Sequence, residues 1–211
     1  MGNCELSVLW HDPALLFVDK PAGLLSVPGR GPDKSDCLLQ RVQDRFADAL
    51  LVHRLDMATS GVMVFARHKS AQRILSQQFA RRTVKKRYRA VLSGALSPSR
   101  GRVALPLRCD WPNRPRQCVD WEEGKAALTR FVNAGRTDVT DTANTAVWLL
   151  PYTGRSHQLR VHMAALGHPI LGDELYGDVH SSPRLLLHAC RLQLYHPDTG
   201  QCLVVCSKPP F

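Results

Sequence analysis

The sequence predicts an α+β fold: a mixed, mainly antiparallel sheet flanked by helices and loops, in a single domain over residues 1–211. Two observations carry this. Apolar runs of strand length and amphipathic helical stretches follow one another without a regular strand–helix–strand rhythm, which argues against a parallel sheet with crossover helices. A chain of 211 residues with no internal repeat, low-complexity tract or long linker suits one domain, or two small ones, with a full core.

Ala14 to Val18 reads as a strand, and Lys20-Pro21-Ala22-Gly23 turns the chain. Pro28 to Pro32 is a loop rich in Pro, Gly and Arg. Ser35 is placed to cap a helix with Leu38, Leu39, Val42 and Phe46 on one face. Val62 to Ala66 is strand-like. Ser70 then caps a helix whose apolar face carries Ala71, Ile74, Leu75 and Phe79, and whose end carries Arg81 and Arg82, where cations suit the helix dipole. Tyr88 to Leu92 reads as a strand closed by Ser93-Gly94, and Cys109 to Pro115 as a loop. Strands are expected over Ala127 to Asn133 and Thr145 to Leu150. Thr153-Gly154-Arg155-Ser156 leads into a helix capped by Ser156, with Leu159, Met163 and Leu166 inward and Gly167 as its stop. Strands at Leu185 to Leu194 and Leu203 to Cys206 complete the chain.

Lys plus Arg is 28 against 18 for Asp plus Glu, a formal charge of +10 that favours a polyanionic partner such as RNA, DNA or an anionic membrane. No apolar run approaches the roughly 20 residues needed to span a bilayer, and the N-terminus lacks a secretory pattern. The seven cysteines are odd in number and scattered, which suits thiols in a reducing cytosol, buried for structure. There is no Cys-x-x-Cys pair, no His-Glu-x-x-His helix, no phosphate-binding glycine loop and no Gly-x-Ser-x-Gly elbow. His157 and His162 are five apart and do not share a helical face as paired ligands would. No metal and no cofactor are expected, and the chain is expected to be cytoplasmic, with no membrane contact.

Chemistry concentrates in His53-Arg54-Leu55-Asp56-Met57-Ala58-Thr59-Ser60-Gly61. An acid beside an arginine stays ionised, and an ionised carboxylate in a fixed place can act as a nucleophile. A lone loop aspartate more often caps a turn or pairs with its neighbour, here Arg54. The neighbourhood shifts the balance. A second basic cluster, Thr153 to Arg160, leads into a helix N-terminus suited to a carboxylate or phosphate. Lys85-Lys86-Arg87-Tyr88-Arg89 sets a tyrosine inside a basic strand, where Tyr88 points opposite to Arg87 and Arg89, whose face could contact phosphates. Tyr88 is then either ordinary core or a stacking platform for an extruded base.

These segments, in this order and spacing, resemble the RluA family of RNA pseudouridine synthases. Leu16 to Gly23 resembles the family's opening segment, although Asn is commoner where Asp19 stands. His53 to Gly61 resembles its catalytic loop, Lys86-Arg87-Tyr88 its Lys-x-Tyr strand, Thr153 to His162 with Gly167 to Asp173 its Thr-Gly-Arg segment, and Leu185 to Ala189 its final strand motif. The short length and Cys109 to Pro115 resemble one branch of the family in particular, and no S4-type RNA-binding domain of the kind several relatives carry is expected ahead of the catalytic domain. The resemblance implies a pseudouridine-synthase catalytic domain that isomerises uridine in stem-loops of large-subunit ribosomal RNA and transfer RNA. No protein partner is evident, and a monomer is expected.

By the same resemblance, Asp56 is the catalytic aspartate, Tyr88 stacks on the target base and Arg155 pairs with the acid. Arg54 would enter the gap left by a flipped nucleotide, and Leu185 or Leu186 would pack beneath the tyrosine and base. His53, Thr59, Lys86, His157 and Arg160 are expected as further RNA contacts, and Arg30 and Arg114 as loop residues that shape the substrate. Asp56 could add to the base, attack C1′ or remove a sugar proton; the residues leave all three open. Two other classes fit the basic surface: an RNA-binding or ribosome-assembly protein without catalysis, and a hydrolase with an aspartate nucleophile. The set of Asp56, Tyr88 and Arg155 disfavours the first, and missing metal and triad signatures disfavour the second.

Overall fold

The computed structural model describes residues 6–29, 31, 35–135 and 144–211. The chain runs β1 (Ser7–His11), β2 (Leu15–Lys20), α1 (Leu38–Gln43), β3 (Leu50–Leu51), β4 (Ser60–Ala66), α2 (Lys69–Ala80), β5 (Lys85–Leu92) and β6 (Arg100–Val103). It continues through β7 (Leu107–Cys109), β8 (Gln117–Val119), β9 (Thr129–Asn133), β10 (Thr145–Pro151), α3 (Gln158–Ala165), a short 3-10 turn (Val179–Ser181), β11 (Leu187–Tyr195) and β12 (Cys202–Cys206). Strands and helices of both kinds, with antiparallel pairing, make this the expected α+β class. The chain divides into two compact units, Met1–Lys85 with Ala189–Pro209, and Lys86–His188 with Pro210–Phe211.

In the first unit β4 is the central strand. Every residue of Ser60–Ala66 is buried, as a continuous apolar run predicts for a strand covered on both faces. It pairs antiparallel with β2, from Leu15 opposite Ala66 to Lys20 opposite Gly61, and β1 adds to the far edge of β2. β11 neighbours β4, and β12 pairs antiparallel with β11. At Gly61, with φ of 116°, any Cβ would run into the backbone of Ala189, so only glycine lets β4 and that strand approach so closely.

Helix starts differ from expectation. α1 begins later than Ser35 suggests and is capped by Cys37, whose sulfur accepts from Gln40 N–H at 3.5 Å. It ends at Gln43, so Phe46 lies outside it, its ring flanked by the Arg45 and Arg67 guanidiniums. α2 is capped by His68, whose Nδ1 accepts from Ala71 N–H at 3.2 Å and bonds the Ser70 hydroxyl at 2.8 Å. Ser70 thus supports the cap rather than forming it.

In the second unit β5, β10, β9 and β6 form successive antiparallel pairs. β7 and β8 make a separate hairpin whose root packs with Ala127, Val161 and Tyr176. α3 is buried from Gln158 to Met163. Ser156 does not cap it; His157 occupies that position in a left-handed conformation (φ 51°) with no side-chain cap. Leu166, expected inward, is 39% exposed because the helix has already ended at Ala165. None of the six cysteines among the described residues is in a disulfide; Cys37 and Cys190 are buried, whereas Cys202 and Cys206 are exposed.

Candidate active site

The residues singled out above fall in both units, and each group is built by its own unit. In the first, Asp56 lies on the loop that feeds β4. Two buried polar residues hold that loop from below. The fully buried Lys20 ammonium donates to the carbonyls of Pro21, Leu24 and Met57 at 2.9, 2.6 and 3.0 Å. Gly23 N–H donates to the same Met57 carbonyl at 2.9 Å. The Ser26 hydroxyl donates to Leu55 C=O at 2.6 Å and accepts from Leu55 N–H at 3.1 Å. The residues on either side of Asp56 are therefore pinned, and Thr59 N–H closes a turn onto the Asp56 carbonyl at 3.1 Å. Asp56 itself is half-buried and Arg54 exposed.

Two neighbours expected to touch RNA are used internally. His53 stacks on Phe79 at 4.7 Å, and its Nε2 accepts from Val64 N–H at 3.1 Å, so the ring fastens the loop to β4 and α2. Thr59 is 2% exposed, and its hydroxyl has no partner among the described residues. Asp19, the departure from the family pattern, accepts from the Ser207 hydroxyl at 2.8 Å. Arg30 lies outside the described residues.

In the second unit Tyr88 is half-buried on β5, opposite Leu149 of β10. Lys86, on the same face two residues earlier, donates to the Thr153 carbonyl at 3.1 Å, and burial pushes its pKa down to about 8. The turn that carries Arg155 is organised by Gln158, which is buried. Its Oε1 accepts from the Thr153 hydroxyl at 2.6 Å and Arg155 N–H at 3.1 Å, while its amide donates to Leu128 C=O and the Thr129 hydroxyl at 3.1 and 2.9 Å. Arg155 is half-buried, with Nε directed to Ala126 C=O at 3.3 Å.

The β5 arginines expected to face phosphates lie against an aromatic ring. Arg87 and Arg89 stack over Trp148 at 4.5 and 4.9 Å, and Arg89 is buried, with a long 3.4 Å bond to Ala134 C=O. Arg160 also departs from the expected RNA contact. It forms a bidentate pair with Asp173 at 2.8 and 2.6 Å, and both side chains are buried. Asp173 in turn accepts from Leu175 and Tyr176 N–H. His157 Nδ1 bonds the Tyr176 hydroxyl at 2.8 Å. Leu185 and Leu186 are buried, just ahead of β11, and Leu186 bridges Val91 and Leu171 through its backbone. Arg114 is exposed on the β7–β8 hairpin.

A model of the RNA pseudouridylate synthase family matches residues 14–165, which include the Asp56 loop, the β5 strand and most of the Thr-Gly-Arg segment. The chain belongs to that family. Three relatives extend the match over nearly the full length. The dual-specificity RNA pseudouridine synthase RluA of Haemophilus influenzae is 48% identical over 209 residues, covering 98% of this chain and 94% of the relative. RluA of Escherichia coli strain K12 is 51% identical over 212 residues with the same coverage, and that of Yersinia pestis 51% identical over 196 residues, covering 92% and 94%. Among solved structures, human RNA Pseudouridylate Synthase Domain Containing 1 superposes with a TM-score of 0.82 at 32% identity, covering all of this chain and 86% of that one.

The synthase is therefore an RNA-modifying isomerase, and RNA is its substrate. Among the described residues no helix is long and apolar enough to cross a membrane. The residues that sequence reasoning missed in the synthase are its supports: Lys20, Ser26, Gln158, Asp173 and Tyr176. One signal was available. Leu16, Val18 and Lys20 share a strand face, so a lysine continuing an apolar face is a buried cation in need of carbonyl partners.

Proposed function

We propose that Asp56 is the catalytic aspartate of this synthase, that Tyr88 stacks on the target base and that Arg155 is the basic partner of the aspartate. The observation that carries this reading is the mounting of Asp56: a half-exposed carboxylate on a loop whose flanking residues are clamped by Lys20 and Ser26. A group pre-positioned in this way needs little reorganisation during reaction. The isomerisation breaks the N1–C1′ bond of uridine, turns the detached uracil and joins C5 to C1′; the C5 proton leaves and N1 gains one. Mass is unchanged, and no oxidant, energy source or metal is needed. Addition to the base, attack at C1′ and removal of a sugar proton are the three steps open to the Asp56 carboxylate. Each requires the base out of its stack, which costs a few kcal/mol that Arg54 and Tyr88 help to offset.

We further propose that the substrates are stem-loops of large-subunit ribosomal RNA and transfer RNA, met in the cytoplasm by a monomer. Three relatives carry the name dual-specificity RNA pseudouridine synthase, which supports two RNA classes. Splayed loop bases suit the reading, since paired A-form RNA hides its edges in a deep, narrow groove. The test is pseudouridine mapping of total RNA with and without the protein, followed by assay of two synthetic RNAs. New sites in both RNA classes, and reaction of a short stem-loop but not of the same uridine in a continuous duplex, are expected. Reaction of the duplex, or of one RNA class alone, contradicts it.

A further inference from the structure

The β7–β8 hairpin takes no part in the site proposed above beyond Arg114, yet it displays an aromatic side chain to solvent. Trp111 is 64% exposed, and the Arg114 guanidinium lies 4.3 Å above its ring. The turn that presents the pair is closed by its own hydrogen bonds. Asp110 N–H donates to Arg116 C=O at 3.0 Å, Arg116 N–H to Asn113 C=O at 3.0 Å, and Asn113 Nδ2 to the Asp110 carboxylate at 3.0 Å. The arrangement exists before any ligand arrives, which lowers the entropy cost of using it.

We propose that Trp111 and Arg114 form a stacking platform for one unpaired base of the RNA loop that carries the target uridine; the inference rests on the reading of the chain as a synthase acting on loops. An indole with one face covered by a guanidinium leaves its remaining surface for a base, and the cation adds attraction both to π-faces and to the adjoining phosphate. The hairpin from Leu107 to Val119 carries three arginines against one aspartate; Arg108 is paired with Asp120, which leaves Arg114 and Arg116 near the tip. Its root is tied to the turn that bears Arg155. Gln117 N–H donates to the Tyr176 hydroxyl at 2.7 Å, and that hydroxyl bonds His157 Nδ1 at 2.8 Å, two residues from Arg155. A base held at the tip is thereby registered against that turn.

Trp121 provides an internal contrast. It is more exposed, at 74%, but sits among Asp120, Glu122 and Glu123. Backbone N–H donation from Glu123 and the bond from Arg108 hold the Asp120 carboxyl down to about 2, so it is charged at every working pH. Phosphates are repelled there, and Trp121 is not part of the platform.

The test measures affinity and single-turnover rate of the full chain on a stem-loop that the wild type modifies. Trp111→Ala should weaken binding about tenfold, in line with the worth of base–aromatic stacking, with the rate at saturating protein retained. Trp111→Phe should keep most of the affinity, and Trp121→Ala should match wild type. Replacing loop nucleotides one at a time by abasic sites should identify one position that weakens wild type but not Trp111→Ala. Thermal unfolding of each variant separates lost stacking from lost fold. Equal affinity of wild type and Trp111→Ala overturns the proposal. So does an equal abasic response at every position, or a Trp111 dependence seen only with anionic vesicles. A wild type that forms no pseudouridine would instead remove the functional reading itself.

Discussion

The Lys20 ammonium donates to the Met57 carbonyl at 3.0 Å, joining the end of β2 to the residue that follows Asp56. Lys20→Met would take the ammonium away from the Pro21, Leu24 and Met57 carbonyls, of which Met57 C=O keeps its bond from Gly23 N–H. Unsatisfied buried acceptors cost about 1–3 kcal/mol, and the Asp56 loop should loosen. Denaturant unfolding is expected to show that loss, and activity should fall further than the fraction folded accounts for. A variant as stable and active as wild type would mean that Gly23 and Ser26 suffice to hold the loop.

Arg160 is expected to matter for stability rather than for RNA. Arg160→Ala strands a buried Asp173 carboxylate, for which breaking a buried pair suggests about 3–5 kcal/mol. The paired change Arg160→Met with Asp173→Leu should recover part of it. Among molecules that remain folded, the dependence of RNA affinity on salt should keep its wild-type slope, because no phosphate contact has been removed. A shallower slope would return Arg160 to the RNA interface.

His162 is buried, with Nδ1 near the Thr129 hydroxyl at 3.0 Å and Nε2 near Leu105 C=O at 3.1 Å. Burial lowers its pKa, and the Leu105 carbonyl opposes this in smaller measure. The unfolded chain, with an ordinary imidazole near 6.5, therefore takes up a proton at higher pH than the folded protein does. His162 stabilises above that unfolded value and loses its contribution as pH falls from there toward the folded value. Unfolding free energies from pH 8 to 5 should decline for wild type and decline less for His162→Asn. Parallel profiles would contradict this.

Lys86 titrates at about 8, far below an ordinary lysine, because it is buried. Its charge is present below that pH and lost above it. RNA affinity measured from pH 7 to 9 should weaken across the upper half of the range, and Lys86→Arg, which stays charged, should flatten the curve. An identical pH dependence in both proteins would show that the Lys86 charge does not reach the RNA and that its bond to Thr153 is its whole role.

The fold class was legible because continuous apolar runs such as Val62–Ala66 cannot be surface, and the family because the segments around Asp56, Tyr88 and Arg155 are short and distinctive. β1, β3 and the β6–β8 strands were not legible. They are short or edge elements, as in Arg100–Val103, where polar and charged residues leave no alternation to read. Helix caps failed for a related reason. Ser35, Ser70 and Ser156 are the expected cap types, but the cap falls to whichever residue tertiary packing places at the first turn, here Cys37, His68 and His157. Charge alone could not tell the buried Arg89 and Arg160 from a solvated arginine, because their partners, Trp148 and Asp173, lie in other elements of the chain.

The most direct test is the Asp56→Asn variant, purified and incubated with a stem-loop that the wild type converts. The amide keeps the shape of the side chain and the clamps of Lys20 and Ser26 but lacks a nucleophilic, basic oxygen. The expected result is RNA binding close to wild type with no pseudouridine formed in a single turnover. Substantial pseudouridine formation by the Asn variant would contradict the account of Asp56 as the catalytic group.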